Sequence, residues 1–181
     1  MKTPALENYL KNWARSVVSQ SKGILKSNKG ATKLGESIDF KVDKEKQGYS
    51  VKFYMLDYGT FLDKGVSGNK VKRSFINYKQ KRESSPYSYT SKGPPVDILS
   101  KWVKKKGLKP KGWGRGRDKD TGQYISGLAI YISRKIKLKG IPSISFFSQP
   151  FGKGFNKLKD GLLDNFTQDI TNYITTFTKH K

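Results

Sequence analysis

The clearest pattern in the chain is an apolar stripe near its C-terminus. Between positions 155 and 177, apolar residues recur every three or four positions, which is the spacing of one face of an α-helix. At about 1.5 Å per residue, such a helix would span roughly 35 Å. The three aspartates of this segment, Asp160, Asp164 and Asp169, are expected on its solvated face. The predicted stripe consists of Phe155, Leu158, Leu162, Phe166, Ile170, Tyr173 or Ile174, and Phe177.

A second amphipathic helix is predicted near the N-terminus, over roughly residues 4–26. Thr3-Pro4 is a favourable start, because a hydroxyl side chain can cap the first turn and proline fits the first helical position. The helix should end at the polar sequence of residues 27–30. Its core-facing stripe consists of Leu6, Leu10, Trp13, Val17, and Ile24 or Leu25.

Strict alternation of apolar and polar residues follows, and it predicts a β-hairpin. Ile38, Phe40 and Val42 alternate with charged residues, and the alternation resumes after Gln47-Gly48. Because the pattern has period two on both sides of a polar turn, one face of the hairpin should be buried. The first helix would cover that face. We therefore predict an α+β fold with long helices packed on a small curved antiparallel sheet.

The hairpin leads into a short segment that we interpret as a hinge. Residues 57–64 can form two helical turns, with Tyr58, Phe61 and Leu62 anchored on the core. The glycines Gly59, Gly65 and Gly68 would permit backbone angles that other residues resist.

Two basic loops are predicted, at about residues 65–95 and 107–120. The first has almost no apolar periodicity, and proline at positions 86, 94 and 95 argues against regular structure in it. A loop of this length in a compact domain is usually functional or disordered. The candidate partner or DNA contacts of the first loop are Lys70, Lys72, Arg73, Lys79, Lys81 and Arg82. The candidates beyond it are Lys104, Lys105, Lys106, Trp113, Arg115 and Arg117.

Two further helices and one strand are predicted between residue 95 and the C-terminal helix. The first helix opens at Pro95, points Ile98, Leu99, Trp102 and Val103 inward, and ends at Gly107 after three lysines. The second spans about 121–138 behind a capping box at residues 120–123. A short strand is expected over residues 144–147. With no internal repeat or convincing boundary, residues 1–181 are predicted to be a single domain.

Composition limits the kinds of protein this chain can be. Its 37 Lys and Arg outnumber its 14 Asp and Glu, which gives a formal net charge of +23. Such a surplus favours docking onto an acidic partner, whether nucleic acid, protein or anionic membrane. The absence of cysteine excludes disulfides and thiolate metal sites, and the single histidine is His180. No apolar run is long enough to span a bilayer, and because the first residues lack the apolar run of a signal peptide, we expect no secretion signal.

Catalysis is the weakest functional class. Asp118 and Asp120 lie beside arginines, but they lack the continuing ligand series of a calcium loop, and Asp120 is better explained as a helix cap. No phosphate-binding loop, nucleophile elbow or usable Ser/His/Asp set occurs. We expect neither an enzyme nor a cofactor. A metal-dependent nuclease remains the third and weakest alternative.

Nucleic-acid binding has more support from composition. Tyr87, Tyr89 and Trp113 are interleaved with basic residues, which combines phosphate contacts with stacking surfaces. No sequence-reading motif accompanies them, so any such binding would be without sequence preference. The same loops fit a solvated or protein-binding surface equally well.

The succession of motifs resembles a known family. The motifs are Lys33–Ile38 before the hairpin, Asp57–Gly68 after it, Pro94-Pro95 before a Trp-containing helix, Gly140–Pro142, and Phe147–Phe151. This order is similar to the neck or tail-completion proteins of tailed bacteriophages, most closely those of Bacteroidetes-infecting, crAss-like phages. Residues 31–33 depart from the Thr-Gly that often precedes the leucine of the first motif.

The resemblance implies a structural role in the virion. It implies a homo-oligomeric ring of six or twelve subunits at the portal–tail junction, where the ring joins and seals head and tail. The implied partners are further copies of the chain, portal, connector or tail proteins, and DNA in the channel, but no membrane. Assembly would take place in the cytoplasm of the host bacterium. The alternative is a small basic protein that binds nucleic acid without sequence preference.

Overall fold

The chain has an α+β fold, as predicted, and 56% of the residues that the structure describes are helical. The structure, a computed structural model, describes residues 3–28, 32–46, 48–108, 115–117 and 124–178. These residues form two compact units. Unit 1 contains the chain up to Asp63, residues 76–82 and the chain from Ser145 onward, and unit 2 contains residues 64–75 and 83–144. The prediction of a single domain stays a prediction.

Helices and short strands alternate along the described chain. The helices are α1 (Pro4–Ser27), α2 (Thr32–Ser37), α3 (Gly59–Lys64), α4 (Val96–Lys105), α5 (Gly127–Lys139) and α6 (Ser148–Thr178). The strands are β1 (Asp39–Glu45), β2 (Gly48–Tyr54), β3 (Ser74–Ile76), β4 (Arg82–Ser84), β5 (Arg115–Arg117) and β6 (Tyr124–Ser126). They pair as three two-stranded ladders, β1 with β2, β3 with β4 and β5 with β6. The sheet is therefore divided into ladders and is not one curved surface.

In unit 1, α1 packs between the hairpin of β1 and β2 and the long helix α6. The hairpin is antiparallel, as expected of a hairpin, and its register places Phe40 opposite Phe53 and Val42 opposite Val51. A cluster of aromatic rings, each 5.3–6.5 Å from a neighbour, joins the three elements. The cluster consists of Trp13, Phe40, Phe53, Phe147, Phe151 and Phe155.

The C-terminal helix is longer than predicted and its stripe is only partly covered. It begins at Ser148, so the expected strand over residues 144–147 is wrong; Ser145 there has a positive φ of 44°. Leu158 is buried, whereas Phe166 and Ile170 remain partly exposed. The side chain of Phe177 lies outside the described residues. Contrary to the prediction for the aspartates, Asp169 is buried.

In unit 2, small residues are buried where α4 packs against α5. Val103 of α4 and Ala129 of α5 are buried together with three serines of the same region, Ser100, Ser126 and Ser133. The hydroxyl oxygen of Ser100 accepts a hydrogen bond from the Ser126 amide, and the Ser133 hydroxyl donates one to the Pro94 carbonyl. These bonds satisfy polar groups that would otherwise be costly to bury.

Two predictions for unit 2 need correction. The helix expected to start near residue 121 starts at Gly127, because Tyr124–Ser126 forms strand β6; the predicted capping box at 120–123 lies outside the described residues. Helix α4 turns Ser100 and Val103 inward, while Ile98 and Trp102 point to solvent. Its predicted glycine stop is confirmed. Gly107 has a φ of +64°, and the Leu108 amide closes the last turn on the Val103 carbonyl.

Candidate interaction surfaces

A buried carboxylate from α3 organises the start of α6. Asp63 is only 4% exposed. One of its carboxylate oxygens accepts the amides of Phe147 and Ser148 at 2.8 and 3.0 Å, and the other accepts the Ser148 hydroxyl. The first amides of a helix lack partners within the helix, and the positive end of its dipole favours an anion. Asp63 therefore caps α6 from a part of the chain 84 residues away.

A second aspartate caps α1 in the same way. Asp169, 2% exposed, accepts the amides of Ala5 and Leu6 at 3.0 and 2.9 Å. The predicted cap, Thr3, makes no capping bond; its hydroxyl instead shares a hydrogen bond of 2.6 Å with the Tyr49 hydroxyl. Sequence reasoning missed both aspartates. In the sequence, each of them resembles an ordinary aspartate on the solvent-facing side of a helix. Only the tertiary fold brings each one to the N-terminus of another helix.

The segment of residues 57–68 is less of an anchor than predicted. Tyr58 is 44% exposed and Phe61 43% exposed, so their rings are not buried in the core. The buried positions of α3 are Gly59 and Asp63. Gly59 is closely surrounded, since a Cβ there would lie 2.8 Å from the sulfur of Met55. The turn is therefore held by a small residue and a capping acid.

Gly65 and Gly68 form a tight seam within unit 2. Gly65 has a φ of +71°, and a Cβ there would meet the Ile141 carbonyl oxygen and the Ser143 amide nitrogen at 2.8 Å. A Cβ on Gly68 would overlap the backbone of Leu138. Between the two glycines, Val66 exchanges two backbone hydrogen bonds with Ile141. Two backbones in direct contact leave no room for side chains, so these glycines fix a packing seam and not a free hinge.

The first basic loop is more ordered than predicted. It contains β3 and β4, so the expectation of almost no regular structure over residues 65–95 is wrong. Ser67 bonds through its backbone to both Tyr87 and Tyr89, and the Ser85 hydroxyl donates to the Gly65 carbonyl. Serines and tyrosines in this loop supply hydrogen bonds where apolar periodicity is missing. The apolar pattern alone gave no signal of this order.

Three predicted contact residues of this loop lie beside the C-terminal end of α5. The amides of Asn69 and Lys70 donate to the carbonyls of Lys137 and Leu138, and the Arg73 side chain donates to the Lys139 carbonyl at 2.8 Å. Positive charge is favourable at a helix C-terminus. Lys70 and Lys72 are exposed. Arg73 thus has a structural contact, and the two lysines project from an ordered edge.

Three other predicted residues belong to a turn of unit 1. Lys79, Lys81 and Arg82 are exposed. The turn is held by buried Asn77, whose amide donates to the Lys81 carbonyl and whose side-chain oxygen accepts the Lys81 amide. Gln80 takes a positive φ of 60° at its tip.

Of the remaining predicted contact residues, the structure describes some completely and others only in part. Lys104, Lys105 and Lys106 are exposed at the end of α4. The backbones of Arg115 and Arg117 form β5, but their side chains, like all of Trp113, lie outside the described residues. Unit 2 carries many lysines and arginines, whereas its described acidic residues are Glu83 and Asp97.

Among the described residues, clearly shifted pKa values occur at Lys41, Asp43 and Tyr89. The hydrogen bond between Lys41 and the partly exposed Asp43 carboxyl holds the pKa of Asp43 below its usual value and raises the pKa of Lys41. Burial raises the pKa of Tyr89. Within the described ranges, no group of three or more His, Cys, Asp and Glu residues is placed to hold a metal ion. No helix there is both long enough and apolar enough to cross a membrane.

Comparison with known proteins identifies no relative: no protein family, curated protein or solved structure matches this chain.

Proposed function

We propose that this chain is a virion structural protein that forms an oligomeric ring at the portal–tail junction of a tailed bacteriophage, where it joins and seals head and tail. The proposal starts from the resemblance of its motifs to neck and tail-completion proteins. The partners would be further copies of the chain and the portal, connector or tail proteins above and below the ring.

The observation that carries the proposal is that separate motifs of the resemblance contact each other in the fold. Asp63, in the motif 57–68, caps the amides of Phe147 and Ser148, which open the motif 147–151. Gly68, in the same motif, packs on the backbone of the segment that leads to Gly140. Because these motifs are far apart in the sequence but in contact in the fold, together they describe one folded arrangement. This supports reading them as a single resemblance and not as separate chance matches.

Exposed apolar residues support an assembling protein. Leu163 is 73% exposed on α6 and Ile98 58% exposed on α4. Single exposed apolar residues are ordinary, but here each belongs to a helix face that carries others. A ring needs such a surface, because every subunit presents one patch to the neighbour on each side.

The test is to mix the purified chain with the purified portal protein of the same genome and to examine the mixture by negative-stain electron microscopy. We expect a ring of this chain seated on one end of the portal. The control is the tail-tube protein from an unrelated phage in place of portal. A chain that stays separate from the portal at micromolar concentration would contradict the proposal.

A second candidate function, binding of nucleic acid without sequence preference, is favoured by one feature. Lys70, Lys72 and Lys139 are exposed around the C-terminal end of α5, a site where they can neutralise phosphates together. Binding of this kind weakens steeply with salt, by a slope of about 0.9 per phosphate contacted. Fluorescence anisotropy with a mixed-sequence duplex at several salt concentrations tests it. A salt slope unchanged in the Lys70→Gln/Lys72→Gln variant would exclude this surface.

A further inference from the structure

One face of α6 is apolar, exposed and bordered by acid. Leu163, Phe166 and Ile170 follow one another at spacings of three and four, which places them on one side of the helix. Leu163 is the most exposed of them, and the other two are each at least about a third exposed. At 100° per residue, Asp160 and Asp164 fall along one edge of this stripe, and both are exposed. We call these five residues the α6 stripe.

The α6 stripe is unusual in a chain of this charge. From Asp160 to Thr178 the sequence contains three aspartates and no lysine or arginine, although the whole chain carries a net charge of +23. Asp169 is occupied as the cap of α1, whereas Asp160 and Asp164 face solvent. The surface is therefore apolar with acid along one edge, and the nearest lysines of α6, Lys157 and Lys159, lie within the turn before it.

Helix α4 has a surface of the opposite charge. Ile98 and Trp102, one turn apart, are exposed, and Lys101 and Lys105 lie beside them on the same side of the helix. We call these four residues the α4 face. Ile98 and Trp102 were expected to point inward, but the buried side of α4 is formed by Ser100 and Val103. Two large apolar side chains thus remain at the surface with lysines around them.

We propose that the α6 stripe of one copy docks on the α4 face of the next copy. Each surface offers apolar side chains to bury, and the aspartates of one match the lysines of the other. Pairing of α6 with α6 is disfavoured, since it would bring Asp160 and Asp164 of two copies together. This inference rests on the proposed function, because it names the contact between neighbouring copies in the ring.

The contact is head to tail. Since the α6 stripe and the α4 face are different surfaces, every copy uses one for each neighbour, and the series closes into a ring when the rotation between copies permits. Complementary charge also explains how a chain of high positive charge can associate with itself: the association brings unlike charges together locally.

The absence of cysteine makes a direct test possible. Leu163→Cys and Ile98→Cys variants are prepared separately, mixed at physiological salt, and treated with a short bis-maleimide. We expect a cross-linked dimer in the mixture and at least tenfold less in either variant alone. A mixture of Lys22→Cys with Ile98→Cys is the control, because Lys22 is exposed on α1, outside both surfaces. Equal cross-linking of Leu163→Cys alone, or none in the mixture, would overturn the inference.

Charge reversal gives an independent test. Adding Asp160→Lys and Asp164→Lys to the Leu163→Cys chain should lower the yield of cross-linked dimer at least tenfold. Adding Lys101→Glu and Lys105→Glu to the Ile98→Cys chain should restore it. Circular dichroism checks that each variant folds, and restoration by the second pair of changes excludes simple misfolding. If the second pair does not restore cross-linking between folded variants, the charge pairing is wrong.

The outcomes separate this inference from the proposed function. If rings form on portal but positions 163 and 98 do not cross-link, the docking contact is wrong and the proposed ring is still supported. Cross-linked chains that remain open filaments and never bind portal would support the contact and contradict the neck role. The lysines of the α4 face could instead bind DNA. In that case, adding duplex DNA to the mixture would abolish the cross-link between positions 163 and 98, and this result would count against the docking contact.

Discussion

The carboxylate of Asp63 accepts hydrogen bonds from both the amide and the hydroxyl of Ser148. These two residues join the end of the short helix α3 to the start of the longest helix in the protein. Together with Asp169 at the start of α1, the contact means that both long helices of unit 1 are capped by acids from distant parts of the chain.

Removing the first of these caps should destabilise unit 1. We expect Asp63→Ala to lower the free energy of unfolding by about 3 kcal/mol, because it leaves two amides and one hydroxyl without their charged acceptor. Urea unfolding followed by circular dichroism at 222 nm measures the change. Asp57→Ala is the control, since Asp57 is an exposed aspartate just before α3 begins. Equal stability of the two variants would show that the cap is not needed.

The second cap predicts a smaller effect. Asp169→Ala should cost about 2 kcal/mol, because it removes the acceptor of two amides at the start of α1. Its neighbour Gln168 is exposed on the same helix, so Gln168→Ala should be close to neutral in the same urea experiment. Hydrogen exchange adds a local measure: faster exchange of the Ala5 and Leu6 amides is expected. Unchanged exchange there would contradict a capping role.

The glycine seam predicts damage confined to unit 2. Gly68→Val should cost about 3 kcal/mol, since its side chain would overlap the backbone of Leu138. Hydrogen exchange should show lost protection at Val66 and Ile141 and retained protection in β1 and β2. The matched control is Gly23→Ala, where the space around the helix is open and a gain of about 0.5–1 kcal/mol is expected. Equal loss of protection in β1 and β2 would contradict a seam that serves unit 2 alone.

The ordered loop predicts resistance to protease. From sequence, the stretch of residues 69–95 would be expected to be cut readily in the isolated protein and protected only after assembly. Its backbone hydrogen bonds to Ser67, Lys137 and Leu138 now predict slow cleavage by trypsin even before assembly, despite its exposed lysines. Mass spectrometry of a brief digest checks this. Cleavage at Lys70 or Lys72 within the first minutes would contradict the loop as described.

The sequence predicted the elements that depend on periodicity. The existence of the hairpin, the span of α1 and the existence of α6 all follow from apolar residues at spacings of two or of three to four. The predicted inward side of α4 was right for Val103 and wrong for Ile98 and Trp102, which look like core residues but are exposed. Ser100 packs inward in their place. Small polar residues can fill a core when their hydrogen bonds are satisfied. The pattern of apolar residues in the sequence does not predict which of them are buried in this way.

The contacts between distant residues could not be predicted from local pattern. Nothing near Asp63 or Asp169 in sequence marks them as caps, since each caps a helix more than eighty residues away. The surfaces were anticipated only in part. The lysines of the first loop were identified from the sequence. The α6 stripe was not, because the exposure of its apolar residues depends on which part of α6 is left uncovered by α1.

The most direct test of the central claim is the mass of the assembled protein in solution. Native mass spectrometry of the purified chain, at micromolar concentration and with increasing amounts of portal, measures it. We predict a closed ring of six or twelve copies of the 20.5 kDa chain, lost in the Asp160→Lys/Asp164→Lys variant. A monomer at every concentration, with or without portal, would contradict the claim.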